Sequence, residues 1–244
     1  MDSGFYAASA GLKAQSQALE VIAHNLANVN TPGFRGEETT FQSLLALARG
    51  AAANPLNTAT NNYGILEGTH LDLSAGTLTN TGNSLDVGIE GSGFFAINTQ
   101  QGARYTRNGS FQVSSTGELV TQTGDQVQGT TGPIRVPPGP VAISPDGTLS
   151  VDGAVAGQIK LVDFPAGTPL LSEGAALLFA PAGSEQAAQN VSLRQGMLET
   201  SNVNAITAVT SLIGVQRQAE MMARALSLLD TNLNHVAASE LARV

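Results

Sequence analysis

The distribution of proline constrains this chain more than any other feature of its sequence. All ten prolines lie between Pro32 and Pro181, and residues 200–244 contain no proline and one glycine, Gly214. Because proline removes a backbone donor and clashes inside a helix, long helices are confined to the two ends of the chain. The sequence therefore predicts two terminal helices and a middle built from other elements.

The N-terminal segment carries an apolar stripe at helical spacing, made of Leu12, Leu19, Ile22, Leu26 and Val29. Intervals of three, four and seven residues place these side chains on one face of a helix over about residues 5–29. Pro32 and Gly33 end this helix, because the residue before a proline is pushed out of helical geometry.

The C-terminal segment contains two interleaved apolar series, each with a seven-residue repeat. Together they comprise Leu212, Val215, Ala219, Met222, Leu226, Leu229, Leu233 and Val236. This is the a/d pattern of a coiled coil or a tight bundle. A helix over about residues 204–238 would be roughly 50 Å long, and Ser201, Asn202 and Asn204 offer oxygens for its N-cap.

The middle of the chain alternates in the manner of short β-strands. Leu85, Val87 and Ile89 are separated by polar residues or glycine, which is the period of a half-buried strand. Turn pairs such as Asn108-Gly109 and Asp152-Gly153 punctuate the segment. With no long helical pattern between the turns, this favours an antiparallel all-β domain.

These segments predict an α+β fold in which the N- and C-terminal helices pair into a coiled-coil-like base that carries the inserted β domain. The base would contain residues 1–36 and 199–244, with a linker or extension at 37–65 and the β domain at 66–198. The alternative gives each helix its own partner, or packs both helices on the β domain.

The search for chemistry finds no catalytic, metal-binding or cofactor-binding residues. Cysteine is absent, which excludes disulfides and thiol catalysis. The three histidines, His24, His70 and His235, lack metal-ligand spacing, and no phosphate-binding or serine-hydrolase motif is present.

Charge and hydropathy also restrict the partners. A net charge of −8 without a basic stripe argues against nucleic acid. No apolar run reaches the roughly 20 residues that cross a bilayer, so we expect no membrane insertion. Residues 1–11 lack the basic and apolar regions of a cleaved secretory signal.

Two polar strings flank the predicted helices. The N-terminal motif runs from Asn25 to Arg35 and includes Asn25, Asn28, Asn30, Thr31, Pro32, Gly33, Phe34 and Arg35. It is typical of a helix C-cap with asparagines that tolerate left-handed geometry, followed by a Pro-Gly turn and an aromatic anchor. Its asparagine amides need partners in the backbone or in neighbouring chains. The C-terminal motif, which can be interpreted as a plain N-cap, consists of Glu199, Thr200, Ser201, Asn202, Val203 and Asn204.

Taken together, these motifs resemble the terminal signatures of the bacterial flagellar rod and hook proteins. Residues 81–95 and 105–111 are similar to the central strand motifs of the same family. The resemblance covers nearly the whole chain, with the motifs in the expected order.

The resemblance implies a structural subunit without enzymatic activity. Such a subunit is exported through the flagellar type III apparatus without a cleaved signal, and it assembles with other copies of itself and with neighbouring rod and hook proteins. The assembly is a tubular rod of the basal body that crosses the periplasm and transmits torque from the motor to the hook. In this interpretation the two apolar stripes are the assembly seams.

Two other classes of protein are compatible with parts of the pattern. A carbohydrate-binding or hydrolytic β domain with dimerising helices would need convergent aromatic groups, yet aromatic residues are 5% of the chain and tryptophan is absent. A phage-tail or secretion-tube subunit would share the helical seams but not the two terminal motifs.

Overall fold

The computed structural model describes residues 2–42, 65–174 and 176–241. A helix lies at each end of this part of the chain, α1 (Asp2–Ala27) and α2 (Ala205–Leu241). Their bounds agree with the helices predicted from the proline-free segments, and the α+β fold class is confirmed. Between them lie strands β1 (Glu37–Gln42), β2 (Ile65–Leu71), β3 (Leu78–Asn80), β4 (Val87–Glu90), β5 (Phe94–Thr99), β6 (Gly102–Thr106), β7 (Phe111–Val113), β8 (Leu119–Thr121), β9 (Gln126–Gly129), β10 (Gly132–Pro133), β11 (Val141–Ile143), β12 (Thr148–Val151), β13 (Ala154–Gln158), β14 (Leu161–Asp163), β15 (Leu171–Glu173), β16 (Leu177–Phe179), β17 (Gln186–Ala187), β18 (Ser192–Gln195) and β19 (Met197–Glu199).

The chain forms two compact units. The helical unit contains the described residues of 1–27, 37–70 and 205–244, and the β unit contains residues 28–36 and 71–204. This grouping differs from the predicted segments. Residues 28–36 and 199–204, predicted for the helical base, belong to the β unit, and residues 66–70, predicted for the β domain, belong to the helical unit. The predicted linker begins with β1, which pairs with β2 in a two-stranded sheet.

Within the helical unit, α1 packs against α2. Over the residues that the structure describes, neither helix is both long enough and apolar enough to span a membrane.

The β unit is built from antiparallel pairs. Its largest sheet has ten strands, in the order β15-β16-β6-β5-β9-β8-β7, with β10 beside β9, β14 beside β5 and β17 beside β14. Strands β11, β12 and β13 form a second sheet, and two further pairs join β4 to β18 and β3 to β19. These last two pairs bring the end of the β unit back to its beginning.

Strand β5 separates two hydrophobic clusters. Because side chains alternate across a strand, Phe95 and Ile97 face the larger cluster, whereas Phe94 and Ala96 face the smaller one. In the larger cluster the Phe95 ring meets the Phe111 ring edge to face at 5.0 Å, an arrangement that aromatic pairs favour. The strand is therefore buried on both faces.

Strand β4 is also more enclosed than its alternation predicts. Val87 and Ile89 are buried in the larger cluster, but Gly88 and the preceding Asp86 are buried as well. A side chain at Gly88 would lie 2.5 Å from Leu78 of β3. The alternation predicted the strand correctly, and Gly88 leaves room for the Leu78 side chain, which covers its other face.

Candidate functional site

The N-terminal motif contains a tight turn at Pro32-Gly33. The Phe34 amide donates to the Thr31 carbonyl at 3.3 Å, and Gly33 has a φ of 67°. Proline followed by a left-handed glycine is the signature of a type II turn. The left-handed residue of this motif is thus Gly33, and not one of its asparagines, which lack positive φ.

The asparagines of this motif instead use their side chains to hold backbone. In the helical unit, Asn25 donates to the Glu37 carbonyl at 2.8 Å and accepts from the Glu37 amide at 2.9 Å. In the β unit, the Asn28 side chain accepts from the Thr31 hydroxyl at 3.1 Å, while Asn30 is exposed. The predicted need for partners is met within this chain at Asn25 and Asn28.

The turn leads directly to three buried charged residues, Arg35, Arg107 and Glu199, which we call the ionic cluster. The Arg35 guanidinium donates to Glu199 Oε1 at 2.7 Å, and the Arg107 guanidinium donates to Glu199 Oε2 at 3.1 Å. The side chains of Arg35 and Glu199 are each 1% exposed, and that of Arg107 is 5% exposed. One carboxylate therefore binds two cations that are far apart in the sequence, at positions 35 and 107.

Neighbouring groups complete the cluster. Glu199 Oε1 also accepts from the Gly76 amide at 2.8 Å, and the Glu199 carbonyl accepts from the Gly33 amide at 2.8 Å. Arg107 donates to the Gly91 carbonyl at 2.7 Å and lies over the Phe94 ring at 5.3 Å. The cluster thus ties the N-terminal motif, the C-terminal motif and the central strands to one carboxylate.

Burial disfavours the charged form of the Arg107 guanidinium and lowers its pKa. The negative charge of Glu199 raises this pKa, and the positive charge of Arg35 lowers it. An arginine stays protonated across the physiological range despite such a shift. Removing one partner of a buried pair leaves an uncompensated charge, which is far more costly than losing an exposed pair.

A second polar residue, Asn202, joins three separate chain segments. Its Oδ1 accepts from the Gly36 amide at 2.8 Å, and its Nδ2 donates to the Asp72 carbonyl at 2.9 Å. The Asp72 amide in turn donates to the Gly36 carbonyl at 2.8 Å. Each of these residues lies within three positions of a point where the chain enters or leaves the β unit. Asn202 therefore fastens these crossing points together and is not an N-cap.

The rest of the C-terminal motif also forms contacts within the β unit. The Thr200 hydroxyl lies 2.9 Å from the Thr77 hydroxyl, and the Ser201 hydroxyl accepts from the Val203 amide at 3.2 Å. Asn204 immediately precedes α2 and is exposed. Most of the motif belongs to the β unit's internal contacts.

The predicted stripe of α2 can be followed over half its length. Leu212, Val215, Ala219 and Met222 are partly buried, while the residues directly before and after each of them are exposed. Leu226, Leu229, Leu233 and Val236 fall among positions whose side chains lie outside the described residues. The assignment of these positions as an assembly seam stays a prediction.

On α1 the most buried positions are small residues and not the predicted stripe residues. Gly11, Ala14 and Ala18 are buried, and the stripe residues Leu12, Leu19, Ile22 and Leu26 are only partly buried, as is Val29 beyond the helix. Small side chains permit a close approach of neighbouring backbone, and hydropathy alone does not single them out. The leucines keep part of their apolar surface exposed.

Sequence reasoning missed Arg107 and Gly76 as members of the site. Arg107 lies in the segment 105–111, which the sequence marks only as a strand motif. Nothing in its local pattern shows that a charged residue is buried there, because its anion lies 92 residues further along the chain. In the described residues, no group of three or more His, Asp or Glu side chains is arranged to hold a metal ion.

Replacing the shared carboxylate tests the ionic cluster. Glu199→Gln keeps the shape but turns an amide toward one guanidinium, so we expect it to lower the free energy of unfolding by about 3–5 kcal/mol. Glu90→Gln is the matched control, since Glu90 pairs with Arg194 at 2.7 Å but both side chains are 54% exposed. It should cost less than about 1 kcal/mol. Equal losses in urea unfolding would contradict the role given to Glu199.

Replacing the turn glycine tests the close approach of the N-terminal motif to β6. A Cβ at Gly33 would lie 2.3 Å from the Arg107 carbonyl carbon, whereas a Cβ at Gly124, also at positive φ, meets nothing within 4 Å. Gly33→Ala should therefore destabilise by about 1–3 kcal/mol more than Gly124→Ala, because it adds overpacking to backbone strain. Indistinguishable unfolding midpoints for the two variants would refute this packing.

Three family models match segments of the chain. Residues 5–35 match "Flagella basal body rod protein", residues 88–151 match "Flagellar hook protein FlgE/F/G D1 domain", and residues 194–238 match "Flagellar basal body rod FlgEFG protein C-terminal". Arg35, Arg107 and Glu199 fall in the first, second and third of these segments, respectively. The ionic cluster thus joins all three matched regions.

Whole-length relatives agree with these matches. The chain is 33% identical to the flagellar basal-body rod protein FlgF of Mesorhizobium japonicum, with 90% of each chain covered. It is 32% identical to FlgF of Escherichia coli over 95% of this chain and 96% of that protein. It is 31% identical to the rod protein FlgG of Buchnera aphidicola over 91% of this chain and 94% of that protein. With the three segments in order and the terminal motifs joined at one buried carboxylate, this chain belongs to the family of flagellar basal-body rod proteins.

Proposed function

We propose that the chain is a structural subunit of the flagellar basal-body rod, in which it polymerises through its terminal helices into a tubular shaft that carries torque from the motor to the hook. Its partners are other copies of itself, neighbouring rod and hook proteins and, before assembly, the flagellar type III export apparatus. The role requires no catalysis, cofactor, nucleic acid or membrane insertion. Relatives named for the same structure support this proposal.

The observation that carries the proposal is a second face of α2 on which large apolar side chains are exposed. Beside the partly buried stripe, the helix has four large apolar side chains that are exposed: Ile206, Val209, Ile213 and Met221. At about 100° per residue, Ile206, Ile213 and Met221 fall on the side of the helix opposite Val215, and Val209 lies between this side and Leu212. Arg217 and Glu220 lie on the same side, so the face is mixed. Large apolar side chains left exposed and bordered by polar ones are typical of a surface that contacts another chain.

The pairing of α1 with α2 accounts for one face only. Met221 is 63% exposed and Ile206 is 78% exposed, so both retain most of their surface for another chain. Covering a side chain of this size contributes about 1.5–3 kcal/mol. Repeated along a helix of 37 residues, such contacts would stabilise a polymer, and the coiled-coil-like base would then be one layer of it.

Within the family we propose the FlgF type, with FlgG as the alternative. The FlgF relatives described above are 32–33% identical to this chain and the FlgG relative is 31% identical. The region before Thr81 also holds no long insertion of the kind that would favour a distal rod or hook subunit.

A charge on the second face of α2 tests the assembly. Met221→Asp should leave the free energy of unfolding of the isolated chain nearly unchanged, because Met221 is exposed there, and should abolish swimming and incorporation into purified basal bodies. Gln218→Asp is the matched control, since Gln218 is exposed but lies off this face, and it should retain both. Normal motility and incorporation of Met221→Asp would overturn the proposed use of this face.

A further inference from the structure

A small cavity lies beside the ionic cluster, inside the β unit. Arg35 and Arg107 line it, together with Gly33, Ser172 and aliphatic residues of β16 and the stretch before it. Its volume is about 10 Å³, which is near the minimum for one water-sized occupant. The cavity and the ionic cluster thus share their two cations.

Three buried donors of these cations lack hydrogen-bond partners among the described residues. They are Nε and Nη1 of Arg35 and Nε of Arg107. Buried polar groups of native proteins nearly always have a partner, and an unsatisfied charged donor is costly. Both side chains are at least nine-tenths buried, so bulk water does not serve these atoms.

The charges of the cluster do not balance. Two guanidinium groups face one carboxylate, and both oxygens of Glu199 are already occupied, Oε1 by Arg35 and the Gly76 amide and Oε2 by Arg107. Asp163 also acts on Arg107 through its charge, but among the described residues its carboxylate accepts from the Ser92 hydroxyl and the Phe164 amide and not from either guanidinium. The ionic cluster itself therefore carries one positive charge in excess of its carboxylate.

The unsatisfied groups are all donors, and this decides the chemistry of the occupant. A water molecule would accept from two of them, but it carries no charge and would leave the excess positive charge of the cluster in place. A monatomic anion accepts from every side and cancels that charge. We propose that this cavity binds one small monovalent anion, chloride in ordinary salt solution, which completes the ionic cluster.

Thermal unfolding of the full chain at constant ionic strength tests the anion site. Sodium chloride is exchanged stepwise for sodium gluconate, whose anion is too large for the cavity. A ligand that binds only the folded state stabilises it in proportion to the logarithm of its concentration. Above the dissociation constant, a tenfold rise in chloride should raise the Tm by about 3–5 °C. Equal Tm values in chloride and in gluconate would overturn the proposal.

A pair of variants and a direct measurement locate the site. Arg35→Met should lose the chloride-specific shift, whereas Arg194→Gln, which removes an exposed arginine of an ion pair, should keep it. If Arg35→Met does not fold, crystals of the unaltered chain soaked in bromide decide the question by anomalous scattering. A bromide peak within hydrogen-bond distance of Arg35 Nη1 is expected. A peak elsewhere only, or a shift retained in Arg35→Met, would refute the site.

Discussion

The structure of the β unit depends on one buried carboxylate. Glu199 accepts from Arg35, Arg107 and the Gly76 amide, groups that belong to three segments widely separated in the sequence. A charge so deeply buried is stable only when fully partnered. The need to satisfy Glu199 therefore fixes where the N-terminal motif and the start of the β unit must lie.

This constraint explains why a loop that follows a helix belongs to a β unit. Residues 28–36 bury Phe34, 1% exposed, and Arg35 among strands, while Gly33 passes so close to Arg107 that a side chain is excluded. Asn202 holds the same loop from its other end, at Gly36. The points from which the chain continues toward β1 and α2 are consequently held together by contacts within the β unit.

Local patterns predicted the elements of this fold but not the partners that meet across the chain. Proline placement and heptad spacing predicted both helices, and the Pro-Gly pair predicted the turn, because each is a property of neighbouring residues. The union of Arg35 with Glu199 spans 164 residues, and no local pattern encodes it. The buried face of α1 was not predicted for another reason. Gly11, Ala14 and Ala18 are small, so they contribute less to a hydropathy pattern than the neighbouring leucines do.

Hydrogen exchange of the full chain, followed by mass spectrometry, tests most directly whether Glu199 holds both terminal motifs to the β unit. The amides of Gly33, Gly36 and Gly76 are hydrogen-bonded within this arrangement. Peptides covering residues 28–36 and 199–202 should exchange as slowly as β5, and Glu199→Gln should accelerate both together while β5 stays protected. Exchange of residues 28–36 at the rate of an unprotected loop in the unaltered chain, or acceleration of only one of the two segments, would contradict the account.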